Sequence, residues 1–264
     1  MPLLVFTDLD GSLMEHESYS IEPARAALHE LHNRDIRLIL NSSKTAAEIK
    51  ALQTQHNLPG PFICENGAAL YESPGVPTES FGTAATNWLP AVHSLRRREA
   101  YKFSGFSDWS PAQIANLTGL SPTQAALAKQ RHYSEPILWQ DSQSAKTEFL
   151  NRLSKQGLQL LEGGRFLSIQ SHYDKSDAMT WLTQKLSSPL SPLISIALGD
   201  SPNDEAMLNS ADIAVIIKSA KSDQVSCPNA KLTIKTSKPG PAGWNQAIFE
   251  ILSLYDTNQL IHLS

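Results

Sequence analysis

Short apolar runs that end in polar residues recur along the first part of the chain. The first run, residues 3–6, has the length of a strand and is followed by Thr7-Asp8-Leu9-Asp10-Gly11. Residues 36–40 and 62–64 form two further apolar runs, and a segment with helical periodicity, 22–34, separates the first two. Strands that alternate with helices in this way predict a parallel sheet with right-handed crossovers.

The middle of the chain has a different pattern. Pro74 and Pro77 indicate a linker. Beyond it, short strands are predicted among helices at 102–106, 136–139, 158–161 and 166–169. None of them is followed by two acids and a glycine, as the first strand is. We expect residues 82–169 to form a smaller α+β domain, inserted into a core made of residues 1–81 and 170–264.

The alternating pattern resumes after this insertion. A helix is predicted at 176–186, and strands are predicted at 194–198, 213–217 and 231–234. The Pro- and Gly-rich residues 238–244 are predicted to form a loop before a final amphipathic helix that ends near Tyr255. The predicted fold class is therefore α/β, with a Rossmann-like core, a parallel sheet and an inserted smaller domain.

Composition and charge narrow the class of function. The 264 residues include 22 Lys and Arg against 26 Asp and Glu, and the net charge of −4 offers no attraction to nucleic acid or an anionic membrane. Cys64 and Cys227 form neither a disulfide framework nor a CxxC pair. No apolar run approaches the ~20 residues that span a bilayer, and the N-terminus lacks the features of a signal peptide. We expect a cytoplasmic protein that acts on a small molecule, with no obligate protein partner.

Candidate chemistry lies where the predicted core strands end or a helix begins: Asp8 and Asp10, Ser42 to Lys44, Lys175, and Asp200, Asn203 and Asp204. Taken singly, these residues could be an acidic turn, helix caps or a surface lysine. The carboxyl ends of parallel strands meet at one edge of a sheet, however, so together they predict one site. Clustered carboxylates need a divalent cation, and oxygen ligands without a His or Cys set favour Mg²⁺. Serines, lysines and helix N-termini suit a phosphoryl group.

These features resemble the four motifs of the haloacid dehalogenase (HAD) superfamily of phosphotransferases. Asp8-Leu9-Asp10-Gly11-Ser12-Leu13 is similar to its nucleophile motif, with Ser12 where most relatives have threonine. Ser42 takes the place of the second-motif Ser or Thr, and Lys175 takes that of the third-motif lysine. Gly199-Asp200-Ser201-Pro202-Asn203-Asp204 resembles the acidic GDxxND motif. The insertion lies where the Cof-type (IIB) subgroup of sugar phosphatases carries its α/β cap.

Within that subgroup the chain is most similar to the mannosyl-3-phosphoglycerate phosphatases. This likeness rests on four secondary motifs: Asn41-Ser42-Ser43-Lys44-Thr45, Glu65-Asn66-Gly67-Ala68, Gly163-Gly164-Arg165-Phe166 and Gly240-Pro241-Ala242-Gly243-Trp244. The implied substrate is a phosphorylated glycerate that carries a sugar, and the implied setting is a compatible-solute pathway.

The resemblance implies a role for each core residue. Asp8 is expected to attack the phosphorus and form an aspartyl-phosphate, and Asp10 to act as general acid and then general base. Mg²⁺ is expected at Asp8, Asp200 and the backbone carbonyl of Asp10, with Asp204 supporting it, most simply through a water. The phosphoryl group is expected to contact Ser42, Ser43, Lys175 and Asn203.

The inserted domain is expected to select the substrate. A phosphoglycerate carries a carboxylate as well as a phosphate, so a basic residue is needed, and Arg131 and Arg165 are the candidates. Either arginine could equally be part of a solvated surface. Further candidate contacts are Lys44, Asn66 and the backbone of Gly243.

Several alternatives stay open at this stage. Trp139 and Trp244 either stack on a sugar ring or pack in a core. The substrate could instead be glucosyl-3-phosphoglycerate, sucrose phosphate or a broader range of sugar phosphates. A catalytically silent binding protein on the same fold is a further alternative, although pure binding would not require Asp8 as a nucleophile. An ATP-driven phosphotransferase is disfavoured because the chain lacks a P-loop motif.

Overall fold

A computed structural model describes residues 2–16, 18–73, 75–162, 165–188 and 190–260. Its strands are β1 (Leu3–Thr7), β2 (Arg37–Asn41), β3 (Phe62–Cys64), β4 (Ala69–Tyr71), β5 (Glu79–Ser80), β6 (Phe103–Gly105), β7 (Ser134–Trp139), β8 (Leu158–Glu162), β9 (Leu167–Ser171), β10 (Ile194–Gly199), β11 (Ile213–Lys218) and β12 (Leu232–Pro239). Its α-helices are α1 (Arg25–Asn33), α2 (Ala46–His56), α3 (Ala85–Glu99), α4 (Pro111–Thr118), α5 (Pro122–Ala128), α6 (Gln143–Ser154), α7 (Lys175–Leu186), α8 (Glu205–Asn209) and α9 (Gly240–Asp256).

The chain divides into two compact units. The first consists of Met1–Ser42, Leu58–Glu79 and Asp174–Ser264, and the second of Ser43–Asn57 and Ser80–Tyr173. The segment 82–169 lies within the second unit, which also contains α2. The exact bounds of a core and an inserted cap stay a prediction.

The first unit is built on a mostly parallel sheet with β1 near its middle. The strand order is β12-β11-β10-β1-β2-β3-β4-β5, in which β12 to β3 run parallel and β4 is antiparallel to β3. Every residue of β1 and β10 is buried. Continuous apolar runs of this kind are typical of strands in a parallel sheet that is covered on both faces. The predicted α/β fold class is confirmed.

The second unit contains a four-stranded antiparallel sheet in the order β6-β7-β9-β8. Helices α3 and α6 contribute to its core, where the ring of Trp139 lies 5.7 Å from that of Phe103 and 5.3 Å from that of Phe149. Trp139 therefore packs against the core of the second unit, which disfavours its stacking on a sugar ring. The described residues contain no helix both long and apolar enough to cross a membrane.

The prediction of a loop at 238–244 is wrong. Strand β12 continues to Pro239, and α9 begins directly at Gly240, with Pro241 in its first turn. Proline fits there because the first N–H groups of a helix have no partner within it. The Gly163-Gly164 part of the motif that ends in Arg165 and Phe166 lies outside the described residues.

Candidate active site

The site begins where β1 ends, because the chain leaves the sheet directly after Asp8. The backbone N–H of Asp8 still pairs with the carbonyl of Leu198 in β10, at 2.9 Å. Gly11 then turns the chain with a φ of +82°, a conformation that favours glycine. A Cβ at this position would lie 2.4 Å from Nε2 of His16 and 2.8 Å from Oδ2 of Asp200, so the turn also needs the space. Asp8 is thereby presented, buried, at the carboxyl end of a central strand.

Lys175 links two carboxylates of the site. It is the first residue of α7, a helix capped by the side chain of Asp174, and its own side chain is 1% exposed. Its Nζ donates to Oδ1 of Asp8 at 2.6 Å and to Oδ1 of Asp204 at 2.7 Å. The structure therefore brings together Asp8, Asp204 and Lys175, three of the predicted site residues.

A strained turn after β3 fixes the backbone on which Lys175 stands. Glu65, Asn66 and Gly67 have successive φ values of +47°, +63° and +102°. The N–H of Asn66 donates to the carbonyl of Ser42 at 2.9 Å, and Gly67 packs on the carbonyl of Asp174. Non-glycine residues in this region of φ are rare and cluster at functional sites. The turn thus joins the backbone of the second motif to that of the third.

Asp204 uses both of its oxygens to organise the site. While Oδ1 accepts from Lys175, Oδ2 accepts from the backbone N–H groups of Asp200 and Ser201, both at 3.1 Å, and from the Ser201 hydroxyl at 3.3 Å. Gly199 allows this closeness, because a Cβ there would lie 2.5 Å from Cβ of Asp204. Asp204 is fully buried and holds the loop that carries Asp200.

Burial and mutual repulsion shape the charge of the site. Burial raises the pKa of Asp8 to about 8; the charge of Lys175 opposes this shift, and those of Asp204 and Asp10 add to it. Burial, reinforced by Asp204, also raises the pKa of Asp200 to about 6. For Lys175, burial alone would lower the pKa, but the charges of Asp204 and Asp8 outweigh it and raise the pKa. The lysine is therefore charged, and the carboxylates need further positive charge.

The donor set fits a hard divalent cation. Asp8, Asp200 and Asp204 are all buried, and each places a carboxylate oxygen within 4.8 Å of the others. The set consists of oxygens alone, which is the preference of Mg²⁺. In addition, the hydroxyl of Ser12 is buried with no hydrogen-bond partner found in the described part of the chain. Because Lys175 offsets only one carboxylate charge, a divalent ion fits the remainder.

Comparison with known proteins decides the family. The family model described as sucrose-6F-phosphate phosphohydrolase matches residues 1–238. The chain belongs to this family. It is accordingly a phosphatase of the HAD type.

Solved structures with low sequence identity share the fold of this phosphatase. A HAD-superfamily phosphatase from Bacteroides thetaiotaomicron has a TM-score of 0.69 at 17% identity, with 95% of each chain covered. A haloacid dehalogenase-like hydrolase from the same organism has a TM-score of 0.68 at 18% identity, over 95% of this chain and 100% of that one. A protein described as a HAD subclass IIB sugar phosphatase has a TM-score of 0.67 at 16% identity, over 94% and 98% of the two chains.

The other predicted residues of the first unit lie at different depths. Ser42 is fully buried directly after β2, and its N–H donates to the carbonyl of Ile63 at 3.0 Å. Asp10 is half-buried in the turn after β1, whereas Asn203 is exposed. Gly243 is buried in α9, where a Cβ would lie 2.1 Å from the carbonyl of Lys238. Close packing therefore explains this glycine, and a substrate contact through it stays a prediction.

The predicted substrate residues of the second unit have partners within that unit. Arg131 donates from Nη1 to the hydroxyl of Ser134 at 2.9 Å and to the carbonyl of Ser43 at 3.3 Å, while its Nε is buried without a partner among the described residues. Ser43 and Lys44 are half-buried. Arg165 is exposed and donates to the carbonyl of Leu117. Roles of these residues in substrate binding stay predictions.

Sequence reasoning missed two buried contacts made by residues of the predicted motifs or next to them. The side-chain N–H of Asn41 donates to the carbonyl of Lys175 at 2.8 Å. The indole of Trp244 is fully buried and donates to the hydroxyl of Thr7 at 3.0 Å. Trp244 therefore packs in the core. A polar Asn at the end of an apolar strand was the one available signal for the first contact.

Proposed function

We propose that this phosphatase is a Mg²⁺-dependent phosphomonoester hydrolase that works through an aspartyl-phosphate formed on Asp8. The contact of buried Lys175 with Asp8 and Asp204 supports this proposal most directly. A charged lysine held beside a carboxylate in a site of net negative charge is suited to receive a phosphoryl group. A protein that only bound a phosphate would not need a carboxylate at this position.

In the first half-reaction, Asp8 acts as the nucleophile. Lys175 holds its Oδ1, and no hydrogen bond to its Oδ2 is found among the described residues, so one oxygen is left for attack. A bond forms from the carboxylate to phosphorus as the bond from phosphorus to the ester oxygen of the substrate breaks. Asp10 gives its proton to the leaving alkoxide.

In the second half-reaction, Asp10 takes a proton from a water molecule, whose oxygen attacks the same phosphorus. The bond from phosphorus to Asp8 breaks, which restores the carboxylate and releases inorganic phosphate. Ser42 and Lys175 hold the phosphoryl oxygens through both steps, with Ser43 and Asn203 as further contacts. Mg²⁺ bound by Asp8, Asp200 and the carbonyl of Asp10 would neutralise charge on the phosphoryl oxygens.

We propose that the substrate is mannosyl-3-phosphoglycerate and that the products are mannosylglycerate and phosphate. The secondary motifs around Ser43, Asn66 and Gly243 support this choice, as does the availability of arginines such as Arg131 for a carboxylate. A second candidate is sucrose-6F-phosphate, which the family match favours. Glucosyl-3-phosphoglycerate differs from the first candidate by one epimeric hydroxyl.

A phosphate-release panel with Mg²⁺ tests the proposal. We expect mannosyl-3-phosphoglycerate to give the highest kcat/KM, ahead of glucosyl-3-phosphoglycerate, sucrose-6F-phosphate, 3-phosphoglycerate and hexose phosphates. A higher kcat/KM for sucrose-6F-phosphate would make that compound the substrate and would leave the proposed mechanism unchanged. A chelator should abolish phosphate release. The Asp8→Asn variant should fold normally and release no phosphate, and normal turnover in it would refute the mechanism.

A further inference from the structure

A buried chain of hydrogen bonds connects the last helix to the proposed nucleophile. Trp244 in α9 donates from Nε1 to the hydroxyl of Thr7 at 3.0 Å. The same hydroxyl donates to the backbone carbonyl of Asp8 at 2.7 Å. Both side chains, those of Trp244 and Thr7, are fully buried, so water does not compete for these bonds.

The chemistry of the indole fixes the direction of this chain. An indole N–H can only donate, so the hydroxyl of Thr7 must accept from Trp244. A hydroxyl has a single proton, and that proton is then committed to the carbonyl of Asp8. Trp244 thereby prevents Thr7 from turning its proton elsewhere.

The carbonyl of Asp8 depends on this bond because it has left the sheet. The N–H of Asp8 still pairs with Leu198, at 2.9 Å, but the described residues offer its carbonyl only one further donor, the N–H of Leu13, at 3.4 Å. The peptide after Asp8 is where the extended strand changes into the turn at Gly11. Its orientation therefore determines how the carboxylate is directed.

We infer that Trp244 and Thr7 are positioning residues that align the carboxylate of Asp8 for in-line attack. This inference rests on the proposed role of Asp8 as nucleophile. An error of about 1 Å in the position of a reacting group can lower the rate on the order of 10²-fold. A loss of alignment slows the chemical step, whereas the phosphate contacts made by other residues remain. We therefore expect kcat to fall more than KM changes.

Four variants test the inference, with kcat and KM measured on p-nitrophenyl phosphate or the best substrate of the panel. We expect Thr7→Val to lower kcat at least about tenfold with KM within about twofold. Thr7→Ser, which keeps the hydroxyl, should recover most of kcat. Trp244→Phe removes the donor together with part of the buried ring and should lower kcat about threefold to tenfold. As a matched control, Trp88→Phe removes an indole bond to the carbonyl of Thr83, 3.1 Å long, in the second unit. This control should lose stability without losing kcat.

The outcomes separate this inference from the proposed function. Activity in Asp8→Asn would refute the nucleophile and the inference with it. An inactive Asp8→Asn beside a Thr7→Val variant with unchanged kcat would refute the inference alone, as would a Thr7→Ser variant no better than Thr7→Val. If Thr7→Val fails to fold, Trp244→Phe decides: an unchanged kcat overturns the inference, and a loss of kcat absent from Trp88→Phe supports it.

Discussion

Replacing Gly67 by alanine tests how the site holds Lys175. A Cβ at position 67 would lie 1.8 Å from the carbonyl oxygen of Asp174 and 2.9 Å from the backbone nitrogen of Lys175. Both are main-chain atoms, so no side chain can rotate out of the way. Contacts below 3.0 Å are essentially never seen for a Cβ, so the backbones of residues 67 and 174 must separate by at least 1.2 Å, the difference between 3.0 and 1.8 Å.

The structure sets the size of the expected effect. A non-glycine residue at a φ of +102° is strained by about 1–3 kcal/mol. Overpacking adds about 1–3 kcal/mol, so Gly67→Ala should destabilise the fold by about 2–6 kcal/mol. The displaced start of α7 would also carry Nζ of Lys175 away from Asp8, where it is now 2.6 Å from Oδ1. A shift of this size should lower kcat by roughly 10²-fold.

Urea unfolding measures the loss of stability and steady-state kinetics measure the loss of kcat. Gly75→Ala is the matched control. Gly75 has a similar φ of +118°, but a Cβ there would meet no described atom within 4 Å. The control therefore reports the backbone strain alone and should retain its kcat. Equal losses of stability in the two variants, together with a kcat for Gly67→Ala within about threefold of the parent, would refute the close packing at Gly67.

Three further predictions concern proton transfer, pH and the cation. Asp10→Asn should slow both the formation and the decay of the phosphoenzyme, by about 10²–10⁴-fold in kcat; in rapid-quench kinetics, a change below about threefold would argue against its acid–base role. Burial raises the pKa of Glu135 above its ordinary 4.5, against the opposing effects of the hydrogen bonds from Ser107 and the charge of Arg131. The folded state then binds this proton more tightly than the unfolded state, so the carboxyl reduces stability as pH rises above 4.5. Glu135→Gln should therefore gain stability relative to the parent between pH 4 and pH 8 in urea unfolding, and parallel pH curves would contradict this. Mg²⁺ at about 100 times its Kd should stabilise the protein by about 2.7 kcal/mol, seen as a higher Tm; Asp200→Asn should reduce this shift at the same Mg²⁺ concentration, and an unchanged shift would remove Asp200 from the cation site.

Much of the core fold could be predicted from local patterns because the buried strands are continuous apolar runs. Strand β3 occupies the predicted residues 62–64, and β10 differs from its prediction by one residue. The end of the chain was harder, because proline and glycine are ambiguous signals. Pro239 ends a strand at the edge of the sheet, where a missing N–H is tolerated, and Pro241 starts a helix. Local sequence alone does not distinguish these uses from a loop.

The grouping of the candidate residues could be predicted from the sequence, but the contacts that position them could not. Strand ends of one parallel sheet converge, which is why Asp8 and Asp200 could be grouped from their order in the sequence. Lys175 begins a helix after a strand of the other sheet, and its motif resemblance placed it with them. The bond from Trp244 to Thr7 joins residues 237 positions apart, and no periodicity reports such a contact. The same holds for position 67, where glycine is required because backbone atoms at the start of a helix distant in sequence leave no space for a Cβ.

The charges and hydrogen bonds of the site favour a divalent ion, and they favour Asp8 and Asp200 over Asp204 as its direct ligands. With all three buried carboxyls ionised, as the proposed reaction requires, they and one ammonium leave two negative charges, 3 − 1 = 2, at a place that must receive an anionic phosphate ester. A monovalent cation would leave the site negative and repel that substrate. Both oxygens of Asp204 already bond to Lys175 and to the loop of Asp200. If Asp204 turned to a cation, it would release the lysine that holds the nucleophile. We therefore expect Asp204 to support the cation from its present position, and Asp8 and Asp200 to bind it directly.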